Sequence, residues 1–471
     1  MNAAIKGFGW NSIGQAYRVL FSSIVLIILA RLISVEEFGI VGMSMAFVLF
    51  FNTMLNIGFD SSIIFSKNLK EESLFSLFVL NIIFGLLIYC FGYLSSPIIS
   101  SFYRNDDIEV IFRFLIIGVP LSSIGIISKG YLQKKLKFKS LAVVDLAATT
   151  LAGISAIILA SLDFGYWALI CQQLISVGLS SIGYLAVSYK SVFKSKSFDI
   201  SEIKPHLKFG YNVFIFNLLN FFAQQSDVLL VGKLLGEKQT GLYILAFNLI
   251  LKPVGLIIQV FNKTIFPLLA GIKKEYLAER YTYYTHLFLF TMTPLIVLAV
   301  SLSQTFAPYL LTKKWESISF LLIVFGYQSI RNILGSPSGT IFLITGHPEK
   351  QWKFSLFISL PLRLLGVFLG YYYLKSALGV AIGINVFATI EVFIGFNIVF
   401  KLISLKNIDY YKSIKFEILS SLILSLTFFL VNNLIKINVL SVFIQVLFFG
   451  LFVALSRERF KKLIKNIKAI K

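Results

Sequence analysis

NSIGQAYRVLFSSIVLIILARLISVEEFGI (residues 11–40) is the stretch on which the fold turns. From Val19 to Ala30 it is almost wholly apolar, and with its flanks it reaches the roughly 20 residues needed to cross about 30 Å of hydrocarbon. Yet Arg18 stands a third of the way in, and a guanidinium in hydrocarbon costs about 2.5–3.5 kcal/mol even on the lenient insertion scales. A second apolar run begins within a few residues of Leu32, so the first helix is read as retained rather than as a cleaved leader.

The rest of the chain repeats this pattern. Of 471 residues 57% are hydrophobic and only 14% charged, with a mean hydropathy of +0.84. A soluble domain carries about 25% charged residues, so this chain has too little polar surface to dress a water-soluble globule. Fourteen apolar segments qualify as spans, near 9–30, 38–59, 74–95, 109–128, 140–161, 164–187, 209–232, 240–262, 285–306, 318–344, 354–374, 377–400, 416–434 and 437–455. The expectation is an all-α polytopic membrane protein.

The net charge of +21 comes from Lys and Arg set in short runs between spans. With a cytoplasmic N-terminus, thirty of the 43 fall in inside segments and eight in outside loops, the remainder lying in spans. That asymmetry predicts both termini in the cytoplasm and gives the charge a reason other than nucleic acid. The outside loops are too short for a catalytic domain. Cys90 and Cys171 lie in apolar segments and read as core packing, and His206, His286 and His347 lack ligand spacing, so neither disulfide framework nor metal site is expected.

The chain also repeats internally. FGWN (residues 8–11) returns as FGYN (209–212), and RLISVEEFGI (31–40) aligns with KLLGEKQTGL (233–242) at an offset of 202. Six helices separate the copies, an even number, so both insert in the same sense. Parallel repeats of this kind place substrate where the halves meet. The expected organisation is a six-helix lobe at 1–190, a basic cytoplasmic linker at 191–208, a second lobe at 209–400, and two further helices with a basic tail at 401–471, the lobes enclosing a central cavity.

Polar residues in the spans share faces. On the first helix Asn11, Gln15, Arg18 and Ser22 step by four, three and four, as residues on one helical face do. On the seventh Asn217, Asn220, Gln224 and Asp227 do likewise, Gln15 meeting Asn217 and Arg18 meeting Asn220 at the 202 offset. The eighth adds Asn248, Lys252, Gly255 and Gln259. Arg18, Lys252, Arg331 and Arg363 lie too deep for easy snorkelling, with Asp227 and Glu391 the deepest acids and Asp145 nearer the inner end of its helix. Either these charges are structural ion pairs, or the cations line a positive cavity. The latter suits an anionic substrate, because guanidinium groups grip phosphates bidentately. Asp227, Glu391 and Asp145 are then candidates for ion coupling or for pairing with the bases.

Segments of the chain resemble a known family. RLISVEEFGIVGMSMAFVLFFNTMLNIGFDSSIIFSK (31–67), QKKLKFKSLAVVD (133–145), DFGYWALICQQL (163–174) and SDVLLVGKLLGEKQTGLYILAFNLILKPVGLIIQVFNKTIFPLLA (226–270) resemble blocks of polysaccharide flippases in the multidrug/oligosaccharidyl-lipid/polysaccharide exporter superfamily. The nearest likeness is to its lipopolysaccharide and colanic-acid exporter branch. It covers helices 1 to 8 well and the last 150 residues poorly beyond TGHP (345–348). The resemblance implies a bacterial cytoplasmic-membrane transporter, not an enzyme, that moves undecaprenyl-pyrophosphate-linked oligosaccharide by alternating access. It implies no cofactor beyond an H+ or Na+ gradient, and as partners the lipid-linked glycan, the bilayer and polysaccharide polymerase machinery. In relatives basic cavity residues hold the headgroup and a groove near the last helices takes the lipid tail. The alternatives are a cation-coupled multidrug antiporter of the same fold and a membrane polysaccharide polymerase or ligase.

Overall fold

In the computed structural model the described residues are 2–56, 58–66, 72–195, 198–434 and 438–456, with side chains described for most of them. Among them there are helices and no strands: α1 (Asn2–Leu32), α2 (Val35–Leu55), α3 (Phe59–Phe65), α4 (Glu72–Tyr103), α5 (Asp107–Leu115), α6 (Gly118–Lys134), α7 (Phe138–Ser161), α8 (Tyr166–Val192) and α9 (Ile200–Ala246) come first. After a π-helical turn at Phe247–Leu251 follow α10 (Lys252–Ala270), α11 (Lys274–Leu310), α12 (Ile318–Ile344) and α13 (Pro348–Phe354). A second π turn, Ser355–Ser359, leads to α14 (Leu360–Leu374), α15 (Ala377–Leu402), α16 (Asn407–Leu434) and α17 (Asn438–Leu455).

The helices are those of a multi-pass membrane protein, though among the described residues the fourteen expected spans do not all stand apart. Twelve are long and apolar enough to cross a bilayer, and Leu440–Ala454 is a shorter apolar helix. The difference has a local cause. The expected seventh and eighth spans are parted by no loop: α9 turns at Gly236, whose φ of 78° is open to glycine and strained for other residues, and the π turn and α10 continue the eighth span. The fourth expected span is split into α5 and α6.

The chain packs as two compact units, Met1–Leu245 with Lys375–Ala377, and Ala246–Leu374 with Leu378–Lys471. In the first, the sequence repeat becomes geometry. A methyl group on Gly39 would stand 1.9 Å from the carbonyl oxygen of Glu237, and one on Gly241 would stand 2.0 Å from that of Val35. At the 202 offset Gly39 corresponds to Gly241 and Val35 to Glu237, so each contact is the image of the other. Reciprocal contacts of this kind are the mark of a two-fold relation, and small residues permit such backbone approach in membranes. The helix breaks correspond too, Ser34 aligning with Gly236. Glu37 Oε1 accepts the first backbone N–H of α8, from Tyr166 at 3.0 Å. Its counterpart Gln239 accepts from Ala377 at the start of α15, at 2.9 Å. Each repeat thus uses one side chain to satisfy an orphan amide at a helix start.

These approaches also show why the first unit extends to Leu245, past the basic linker. Gly232 is packed against Tyr103 and Met43, and Lys233 Nζ donates to the Phe102 carbonyl while lying 4.8 Å from its ring centroid.

In the second unit, GVFLG (366–370) on α14 faces GVAIG (379–383) on α15. A methyl on Gly370 would be 2.2 Å from the Gly379 carbonyl oxygen, and one on Gly366 would be 2.7 Å from that of Gly383. The two glycine pairs lock this hairpin in register. The last helices are firmly attached to α11. Val297 packs with Leu424 and Phe428, and His286 Nε2 lies 2.6 Å from Glu417 Oε1 in the interior. Asn432 accepts from Thr305 and Ser441, both at 3.0 Å. An amide that satisfies several helices at once is strong glue where water is scarce.

Candidate functional site

Arg18 is held in the first unit by Asp145. Its Nη2 donates to Asp145 Oδ2 while Tyr184 donates its hydroxyl to Oδ1, so one carboxylate joins α1, α7 and α8. The local sequence brings α1 close enough for this. Gly14 lies on Ala142, Gly153 on Phe21 and Val25, and Tyr17 shares a hydrogen bond of 2.9 Å with Thr150. The arginine is therefore neutralised within its own unit. Gln15 keeps its Oε1 buried without a hydrogen-bond partner, and Ser22 is exposed.

Asp227 does not meet Arg18. It is 1% exposed and accepts from the Tyr243 hydroxyl and the Val228 amide, each at 2.9 Å. Because Tyr243 lies beyond Gly236, this bond ties the two arms of α9 together. Asn217 is half-buried, while the side chains of Asn220 and Gln224, like that of Asn11, lie outside the described residues.

The second unit gathers a different set. The α14–α15 register carried inward from the glycine pairs brings Ser359 to Glu391, and its hydroxyl donates to Glu391 Oε1 at 2.6 Å. Arg363 follows Ser359 by one helical turn. From α12 comes Arg331, whose charged neighbours are Glu391 and Arg363 and whose polar neighbour is Tyr327. Arg331 Nη2 donates to Asn332 at 3.0 Å, its Nε is buried and unbonded, and it makes no ion pair among the described residues. Glu391 and Arg363 are thus the charges that act on Arg331, and the Glu391 carboxylate is engaged by the Ser359 hydroxyl.

Lys252 and Gln259 are exposed on α10. Lys252 immediately follows one π turn and Arg363 lies shortly after the other. Such turns shift the register of a helix by a residue and are frequent where function needs a side chain re-aimed.

Three features were not assembled by the sequence reading, although Asp145 stood among the candidate partners of the bases. The first is the Tyr184–Asp145–Arg18 chain, whose members share no periodic signal. The second is the buried His286–Glu417 contact, hidden among histidines that looked scattered. The third is a groove of about 480 Å³ on α12 and α15, with Ile323, Tyr327, Ile382, Asn385, Val386 and Thr389 among its walls. Arg113, by contrast, sits beside Glu109 at 2.6 Å, donates to Ser96 at 2.8 Å and stacks over Tyr93; it is satisfied locally. No group of His, Cys, Asp or Glu among the described residues could hold a metal ion.

Comparison with known proteins agrees with this architecture. The teichuronic acid biosynthesis protein TuaB of Bacillus subtilis is 26% identical over 348 residues, 73% of this chain and 72% of that protein. The lipopolysaccharide biosynthesis protein WzxC of Escherichia coli is 21% identical over 406 residues, 84% of this chain and 81% of its own. Among solved structures, the lipid II flippase MurJ in an inward closed conformation superposes with a TM-score of 0.73, at 17% identity, over 95% of this chain and 99% of that one. The family model described as "Polysaccharide biosynthesis protein" matches residues 28–320, more than half the chain, and the chain belongs to that family.

Proposed function

We propose that this chain is a flippase that carries undecaprenyl-pyrophosphate-linked oligosaccharide units across the bacterial cytoplasmic membrane for surface polysaccharide synthesis. The observation that carries the reading is the surplus of positive charge on α12 and α14. Arg331 makes no ion pair among the described residues and keeps its Nε unbonded, and Arg363 adds a second positive charge near it. Planar forks of this kind match the paired oxygens of a pyrophosphate. Lys252 adds a further cation on α10. The names of TuaB and WzxC place them in the synthesis of surface glycans, and the MurJ fold shows that the architecture can house a lipid flippase.

Alternating access of the two repeats supplies the movement, with both termini cytoplasmic as the loop charges imply. Glu391 is the acid best suited to couple the cycle to an H+ or Na+ gradient, because Asp145 is neutralised by Arg18 and Asp227 is bonded to Tyr243. A drug-like organic cation would be repelled by the same positive charge, which speaks against the antiporter reading.

The test is complementation of a deletion strain. Arg331→Gln protein at normal abundance is expected to leave surface polysaccharide near the deletion level, with lipid-linked repeat units retained on the inner leaflet. Full restoration by that variant would remove the site.

A further inference from the structure

The groove on α12 and α15 is mostly apolar, yet it carries one unmet polar demand. Asn385 is 4% exposed. Its Nδ2 donates to the Ala381 carbonyl at 2.8 Å and to Gln328 Oε1 at 3.3 Å, but its Oδ1 is buried and accepts no hydrogen bond. Such an acceptor costs about 1–3 kcal/mol in an apolar setting, so a turn of the Asn385 side chain that offers it to a donor in the adjoining groove is favoured. The half-exposed ring of Tyr327 forms one wall, its hydroxyl fixed by Thr389 at 3.1 Å. A few placed polar groups on apolar walls, within a volume near 480 Å³, are the ordinary make-up of a small-ligand pocket.

Its position says which ligand. Tyr327 is one helical turn from Arg331, about 6 Å along the axis. A molecule whose pyrophosphate rests on Arg331 and Arg363 therefore places its next chemical unit in the groove. An isoprenoid chain has no hydrogen-bond donor to offer Asn385. A pyranose ring has both an apolar face for the tyrosine and hydroxyl or acetamido donors for the amide oxygen.

We infer that the α12–α15 groove is the subsite for the pyrophosphate-proximal sugar, with Asn385 accepting its hydrogen bond and Tyr327 packing on its ring. The inference rests on the proposed flippase reading and adds a specificity-determining residue to it. Sugars that lack a donor at the contacted position would be discriminated against, because they leave Asn385 unpaired.

The test measures binding of two probes to the full chain in nanodiscs: undecaprenyl pyrophosphate, and undecaprenyl pyrophosphate bearing one N-acetylglucosamine. The wild type is expected to prefer the sugar-bearing lipid. Asn385→Leu is expected to weaken that lipid roughly tenfold and leave the sugar-free lipid unchanged. Val386→Trp, at a position 54% exposed, fills the groove without touching the amide network and is expected to do the same. It decides the matter if Asn385→Leu does not fold. A wild type with no preference, or a Val386→Trp protein that keeps it, overturns the subsite. Arg331→Gln separates the two layers. Weakening of both lipids supports the pyrophosphate site, and weakening of neither removes that reading whatever Asn385 does.

Discussion

Arg18 on α1 and Arg331 on α12 are both guanidiniums set within apolar helices, yet their surroundings differ in kind. Arg18 has a carboxylate to itself, and a tyrosine hydroxyl holds that carboxylate from the other side. Arg331 makes no ion pair among the described residues and donates to the neighbouring Asn332. The repeat preserves the scaffold, down to reciprocal glycine contacts, while the charge balance has diverged. Both leave Nε buried and unbonded, so the contrast lies in the counter-ion: Arg18 is paired with Asp145, and Arg331 makes no ion pair among the described residues.

The shared scaffold gives the largest predicted effect. Gly39→Leu drives a side chain into the Glu237 carbonyl, a clash against backbone that cannot be relieved by a rotamer. Gly241→Leu does the same to Val35. Both are expected to abolish recovery of folded protein in size-exclusion chromatography, and to equal degrees. Tolerance of one and not the other would break the two-fold equivalence.

Next comes the neutral pair. Asp145→Asn leaves Arg18 charged without a counter-ion and is expected to lower stability by about 2–3 kcal/mol, less than for a fully buried pair because Arg18 is 37% exposed. Thermal unfolding in detergent reads this. The double variant Arg18→Gln, Asp145→Asn is expected to recover most of the loss and to keep transport. A double variant that folds but fails to transport would move Arg18 into the functional set.

The smallest effects concern the capping side chains. Glu37→Ala and Gln239→Ala each free a helix-start amide, at α8 and α15 respectively. Each is expected to cost about 1 kcal/mol, with Glu37 the larger because it also closes the cap of α2 with Ser34. Equal or reversed costs in thermal unfolding would show that the charged cap adds nothing to the amide one.

Much of this was legible in the sequence, for identifiable reasons. Hydropathy reports spans because hydrocarbon tolerates few polar groups, and the RLISVEEFGI/KLLGEKQTGL pairing located two contacts that prove reciprocal. The break at Gly236 was legible because Glu237, Lys238, Gln239 and Thr240 interrupt the apolar pattern, but its form, one residue of positive φ in place of a loop, was not. Partners were harder. Arg18 finds Asp145 across 127 positions, and helical periodicity says which face a residue occupies, not which helix lies against it. For the same reason His286 and Glu417 could not be joined from spacing. The deep cations were visible in the sequence, but the nearness of Arg363 to Arg331 needed the packing of α12 and α14.

The central claim is tested most directly by titrating undecaprenyl pyrophosphate against two double variants in nanodiscs. Arg331→Gln with Arg363→Gln is expected to weaken binding by roughly a hundredfold, two charge-assisted contacts being worth about 3 kcal/mol together. Arg18→Gln with Asp145→Asn is expected to leave it unchanged. Equal loss in both, or loss only in the second, would contradict the assignment of the anion site to α12 and α14.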